Sequence, residues 1–435
     1  MFATPRPRRL APMLAALTAL SLTTLALAAC GNTDNTSPSG GSTELTGSGP
    51  ATLWVRAADE PMDKALVAAW NEANPDRKIT MLTVPDAQYV QKYVQAVRSG
   101  DAPDLAAVDI ANVKSLTGQK LLTDITAQVD ALPYKSALAP AGVQISTVDG
   151  KIYALPHQLD VSMLYYNKSL FTKAGLDPSK PPATLDDVVS AARKITALGG
   201  DTYGFAFAGN CAGCNAYTLL PYIWASGGDI MNADGTKPTL DDPAVAAALN
   251  AHKTMWDEKL MPPAVKDDNG ATWLTGFQSG KVGMVALGSF AVSVYKAQPD
   301  LDFGVSAIPG SKGTSSFLGG DVIGISKGAK NAKTAWDFVA WSMSEDVQKN
   351  VVAKTGQLTV RSDTADNPTT QAEPRLLAAN KLIADAKVPV TAKYNSLFID
   401  PTGPYLQFIR DWVFSGDPAK AIATGKSGFD SRLAS

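Results

Sequence analysis

Leu53-Trp54-Val55 is a short apolar run, and beyond it Leu66, Ala69, Trp70 and Ala73 recur at i, i+3, i+4 and i+7. That spacing puts them on one face of a helix. Asp59 or Glu60 is placed to cap this helix, Pro61 suits its first turn, and Asn74-Pro75 stops it. Lys78 to Val84 alternates with β-branched residues and predicts a strand. A polar helix is expected around Tyr89 to Ser99, and Asp104 to Asp109 predicts a third strand. Strand, helix, strand, helix, strand implies a parallel sheet with right-handed crossovers.

The alternation recurs downstream. Thr184, with Asp187 three residues on, resembles a capping box; Val188, Ala191, Ala192 and Ile195 complete that helix, and Gly199-Gly200 ends it. Lys281 to Leu287 predicts a strand that runs through Gly288-Ser289 into a helix. Further strands are expected at Phe303 to Ile308 and Val322 to Ile325. Trp336, Val339, Ala340 and Met343 form another helical stripe, and Ser344-Glu345-Asp346 is expected to cap a helix ending near Gly356. No solenoid-period repeat is visible. The residues from 51 to 435 exceed one ordinary core, so two α/β lobes are the economical reading. Ligands of open α/β sheets sit beyond the carboxyl ends of strands. That rule selects the loops Ala58 to Pro61, Asp109 to Asn112, Gly288 to Phe290 and Gly319 to Asp321.

Composition removes several function classes. Apolar residues are 45 % of the 435, which excludes an intrinsically disordered chain. Lys and Arg (39) nearly balance Asp and Glu (41), so there is no basic excess to neutralise phosphates, and no nucleic-acid partner is expected. His157 and His252 are the only histidines, too few for a His-rich metal site, and no cofactor is expected. A nucleophile elbow of the form G-x-S-x-G is absent, and Gly425-Lys426-Ser427 lacks the first glycine of a phosphate loop, Lys420 standing in its place. Tyr165-Tyr166 cannot easily share a metal, because adjacent strand residues face opposite ways.

Residues 1–29 read as an export leader. Arg6, Arg8 and Arg9 precede an uncharged run from Leu10 to Ala29, which ends in Leu27-Ala28-Ala29-Cys30. This resembles the lipobox of bacterial lipoproteins, and the resemblance implies that Cys30 is acylated. Several chains on one residue suffice for stable anchoring. Residues 30–50 are Gly-, Ser-, Thr- and Asn-rich and are expected to form a flexible tether.

The segment from Ala154 through Pro156-His157-Gln158-Leu159-Asp160 and Tyr165-Tyr166-Asn167-Lys168 to Phe171 resembles a hallmark of family 1 extracellular solute-binding proteins. These are the sugar-capturing subunits of bacterial ABC importers, related to maltodextrin-binding proteins. Ala102-Pro103-Asp104, Pro182 to Val188, Trp224 to Asp229, Phe277 to Met284, Gly319-Gly320 and Lys333 to Met343 follow in the family's order. The resemblance implies a type II periplasmic-binding-protein-like α/β fold. Two lobes, 51–160 with 308–355 and 161–307 with 356–435, would be joined by a multi-crossing hinge with a ligand cleft between them. It further implies a non-enzymatic monomer held outside the cytoplasm, in the periplasm or on the cell surface, that delivers a sugar to ABC permease subunits.

Sugar hydroxyls need carboxylates, amides or guanidinium groups, and the faces of pyranose rings need aromatic surface. In the family the position of Asp160 often carries a carboxylate that bonds a sugar hydroxyl. Asp109, Asp59 and Glu60 are each either cleft acids or helix caps. Phe290, following Gly288 and the candidate Ser289, lies where maltodextrin-type proteins place a stacking Trp. Trp224, Trp273 and Tyr222 are candidate platforms, Gly320 permits close approach of a ligand, and Asp321 could accept two hydroxyls. Arg361 is a hydroxyl donor or a surface cation, and Tyr405 stands where the family often has a further ring. Cys211 and Cys214 are expected to form a disulfide stapling a Gly-rich loop, a pair the family does not generally carry. Competing readings are a secreted carbohydrate-active hydrolase using acids such as Asp109 and Asp160, and a receptor for polyamines or an iron complex.

Overall fold

A computed structural model describes residues 44–57 and 59–434. The expected first elements are present as β1 (Ala51–Arg56), α1 (Glu60–Ala73), β2 (Ile79–Val84), α2 (Asp86–Ser99) and β3 (Leu105–Asp109). β1 pairs in parallel with both β2 and β3. Met62, Leu66 and Trp70 bury the inner face of α1, as their spacing requires. Asp59 stands at the N-cap of α1 but its side chain makes no capping bond. The carboxylate turns instead toward Arg56, 3.4 Å from its Nε.

Beyond β3 the parallel expectation is corrected. The chain continues through β4 (Leu155–Asn167), α3 (Leu185–Thr196), β5 (Tyr203–Ala206), α4 (Ala212–Trp224) and α5 (Pro243–Asp257). It then forms β6 (Val282–Gly288), α6 (Ala291–Lys296), β7 (Phe303–Ser306), β8 (Leu318–Ile325) and α7 (Ala332–Ser342), and ends with α8 (Pro404–Arg410) and α9 (Pro418–Ala434). The strands share one mixed sheet in the order β2-β1-β3-β8-β4-β6-β5, with β7 also on β4. β8 runs antiparallel to both β3 and β4 because it carries the chain back across the sheet in the opposite sense. Strand β4, 13 residues long, bonds to β8 through its first half and to β6 and β7 through its second.

Alternation along β4 divides the interior. Leu159, Val161, Met163 and Tyr165 join an apolar cluster with β1, β3, β8 and α7, whereas Leu164 and Tyr166 face a second cluster with α3, α4, α5 and the C-terminal helices. Tyr165 stacks on Phe303 and donates to the Gly288 carbonyl at 2.7 Å, while Tyr166 packs on Phe171.

Two local expectations differ from the structure. Past Ser344 there is no single helix: a short α turn widens into a π turn over Gln348–Val352 and tightens before Gly356. The buried Gln348 side chain donates to Ser342 O at 2.7 Å and accepts Val360 N–H at 2.8 Å, which holds that irregular path. The last residues of the expected tether lie against the body: Leu45 packs on the first cluster, and the carbonyls of Thr46 and Gly47 accept N–H groups at the start of α7. The leader, Cys30 and the tether up to residue 43 lie outside the described residues. Among the described residues no helix is long and apolar enough to cross a membrane.

Candidate functional site

A cavity of about 400 Å³ opens at the carboxyl ends of β1 and β3, beside the middle of β4 and the start of β8, facing the loops before α4 and α6 and a turn near Tyr394. Its floor is charged. Arg56, the last residue of β1, donates from Nε to Asp321 Oδ2 at 2.9 Å and from Nη2 to Asp321 Oδ1. Asp59 and Asp109 complete the cluster, the latter with its carboxylate 3.7 Å from Nη1. Burial works against the charge on Arg56, but the acids Asp321, Asp109 and Asp59 together outweigh it and hold the guanidinium above its ordinary pKa. Asp321 is fully buried; burial first, and the neighbouring Asp59 second, push its pKa well above the carboxylate range against the pull of Arg56. Asp109 does both things the sequence allowed: Oδ1 caps the turn Ile110–Asn112 by accepting Ala111 N–H at 2.8 Å, and the residue lines the cavity.

One wall is built around Asp160 on β4. Its Oδ2 accepts the Tyr217 hydroxyl at 2.6 Å, and Oδ1 accepts the Ser289 hydroxyl and, at 3.3 Å, the Phe290 N–H. Burial raises the Asp160 pKa, and these donors pull it back toward the charged form. Phe290 lines the cavity with 47 % of its surface exposed, a large apolar ring left open to the space. Trp273 also lines it, and its indole N–H is buried with no hydrogen-bond acceptor among the described residues. Across the opening, Asn395 Nδ2 donates to Asn112 Oδ1, and both residues line the cavity.

Asp109, Asp160, Trp273, Phe290 and Gly320 are thus brought together, and Asp59, Asp321 and Ser289 stand directly behind them. The remaining candidates do not reach the cavity. Glu60 sits on the outer face of α1 with Lys64 (2.9 Å) and Thr83 (3.1 Å). Trp224 is buried behind Phe317, rings stacked at 5.7 Å, and it is Phe317 that lines the cavity. Arg361 is spent on Asp363 (2.8 Å), the Met343 carbonyl (3.1 Å) and the face of Tyr134 (4.4 Å). Tyr405 and Tyr222 are interior rings, the former donating to Asn215 O at 3.0 Å. Cys211 and Cys214 are joined by a disulfide. His157 pairs with Asp63 of α1 at 2.7 Å, buried, and not with Asp160, which alternation places on the other face of β4.

A family model for the bacterial extracellular solute-binding protein matches residues 56–349, two thirds of the chain. The chain belongs to this family. As a solute-binding protein it is similar to the galactooligosaccharide-binding protein of Bacillus subtilis, 23 % identical over 93 % of this chain and 90 % of that protein. Among solved structures, the cyclic alpha-maltosyl-1,6-maltose binding protein of Arthrobacter globiformis is 26 % identical, with a TM-score of 0.76 over 88 % of this chain and 99 % of that one. The GacH receptor of Streptomyces glaucescens is 25 % identical, with a TM-score of 0.74 over 89 % and 99 % of the two chains. The mixed α/β fold is therefore that of the maltose-binding-protein-like periplasmic binding proteins.

In this solute-binding protein several cavity residues escaped the sequence reading: Arg56, Tyr217, Phe317, Tyr394 and the Asn112–Asn395 pair. Arg56 carried a usable signal, a cation ending a strand at the carboxyl edge of the sheet. Asn112 stands in a loop that the strand-end rule selects, without being singled out there; the others carried no signal, because long-range packing brings them to the cavity.

Proposed function

We propose that this cavity captures a neutral sugar or short oligosaccharide outside the cytoplasm and that the protein hands it, unchanged, to the permease of an ABC importer. The observation that carries the reading is the mixed lining. Arg56, Asp109, Asp160 and the two asparagines supply paired donors and acceptors, while Trp273 and Phe290 offer ring faces around the same space. The sugar-binding relatives and the shared fold support it. On this reading residues 51–160 with 308–355 and 161–307 with 356–435 are two lobes that close on the ligand, with β4 and β8 in the crossing. Ligand contacts made by both lobes would favour the closed state. The protein works as a monomer, attached to the membrane through lipid on Cys30, with 1–29 removed.

The test is calorimetry and thermal shift of the mature protein against maltose, maltotriose, galactooligosaccharides and, separately, spermidine and ferric citrate, with product analysis. Stabilisation of about 3 kcal/mol by a sugar at a hundredfold excess over Kd, with the sugar recovered intact, is the expected result. Turnover of the sugar, or stabilisation by spermidine or ferric citrate and by no sugar, overturns it.

A further inference from the structure

The disulfide is part of the cavity wall. Gly213 and Cys214 line the space, and Cys211 is the N-cap residue of α4, where its Sγ accepts the Cys214 N–H at 3.1 Å. One turn further along α4 stands Tyr217, the residue whose hydroxyl grips Asp160.

The other side of the disulfide rests on backbone. Gly270 has φ of +100°, and a Cβ there would lie 3.0 Å from Cys214 Sγ and 3.3 Å from Cys211 Sγ. The two sulfurs therefore sit directly on this loop. Asp268 organises the loop by accepting the N–H groups of Gly270 (3.0 Å) and Thr272 (3.2 Å). It ends at Trp273, whose N–H reaches Gly270 O at 3.4 Å. Tyr217 and Trp273, more than fifty residues apart in the chain, thus both lie on segments that meet at the disulfide, the first through α4 and the second through the packed loop.

We infer that the Cys211–Cys214 disulfide is a positioning element of the binding site. It fixes the first turn of α4 and the loop 268–273 in one arrangement, which sets Tyr217 on Asp160 and Trp273 beside the ligand space. The inference rests on the cavity being the solute site. Neither cysteine belongs to the two apolar clusters, and the bond closes a loop of only a few residues, which restricts the unfolded chain far less than a long loop would. Losing the bond therefore acts on the site and leaves the body of the protein folded. Reduction by a dithiol delivers two electrons and two protons to the sulfurs, giving two thiols, while the reductant closes to its own disulfide.

The experiment compares the mature oxidised protein with C211S/C214S, with C211A/C214A and with protein reduced by dithiothreitol. Amide hydrogen exchange needs no ligand. At residues 213–217 and 268–273 it is expected to rise about tenfold in all three, with β1, β3 and β4 unchanged. Kd for the sugar retained from the calorimetric panel is expected to weaken by about tenfold. Adding Y217F to C211S/C214S is expected to cost less than the two losses combined, because both act through Tyr217. Unchanged exchange in the two segments overturns the inference, as does full affinity in the double variants while D160A abolishes binding. If D160A itself binds normally, the assignment of the cavity as solute site fails, and the exchange data still decide whether the disulfide orders Tyr217 and Trp273.

Discussion

Asp160 receives three donors, from Tyr217, Ser289 and Phe290, in a recessed position. Asp160→Ala leaves the two hydroxyls without their acceptor, so a loss of about 1–3 kcal/mol is expected in urea titration. The same substitution is expected to weaken sugar binding at least tenfold by calorimetry. Gly320 makes a different demand. Its φ is +97°, and a Cβ would lie 2.0 Å from the Gln158 carbonyl on the paired strand. Gly320→Ala should cost about 1–3 kcal/mol in the same titration, because neither backbone can yield without breaking the ladder. At this scale the sequence was informative where topology alone decides. Asp109 and Phe290 lie at or just past strand ends, and the strand-end rule finds them, whereas Asp160 lies inside β4 and was reached through the family resemblance. It could not see that Arg361 would lie over Tyr134, or that Phe317 would screen Trp224, since those partners come from distant segments; Asp363, two residues from Arg361, was a local partner the reading passed over.

Elements show what periodicity can and cannot resolve. α3 was legible throughout, from its apolar stripe to the reciprocal capping box of Thr184 and Asp187. Thr184→Ala should lower stability by about 1 kcal/mol, read by chemical denaturation. The mixed sheet was not legible, because a strand's own pattern says nothing of the direction of its neighbour. The two histidines, on β4 and α5, give opposite pH responses. Burial lowers the His157 pKa, but Asp63 overcomes this and holds it above the ordinary 6.5. The stability this pair contributes is complete below that value and is lost as pH rises through the folded-state pKa. Burial among Phe205, Phe207 and Tyr222 pushes His252 down to about 4, with the Ala248 carbonyl pulling the other way. Its contribution is present above 6.5 and is lost as pH falls toward 4. Urea titrations across pH 4.5–8.5 should show the penalty of His157→Gln shrinking as pH rises. His252→Phe should flatten the acid limb; parallel pH profiles for both variants and the parent would refute the assignment.

The molecule as a whole ends its charged and aromatic groups on one cavity although they come from every third of the chain. Closure on a solute is the expected working motion, and it is measurable. Small-angle scattering with saturating sugar should give a smaller radius of gyration than without it. An unchanged radius would mean that the ligand enters a fixed cavity.

β4 and β8 are bonded side by side where the proposed crossing lies, with Asp160 opposite Gly319 and Val161 opposite Leu318. Sliding one strand along the other while keeping each side chain on its own face would take a step of two residues, roughly 7 Å. Bending or twisting the pair requires no such step. If the two proposed lobes close, their swing would thereby be confined to rotation about a two-stranded axle, so the gate could be loose in angle while the floor beneath the guest stays in fixed alignment.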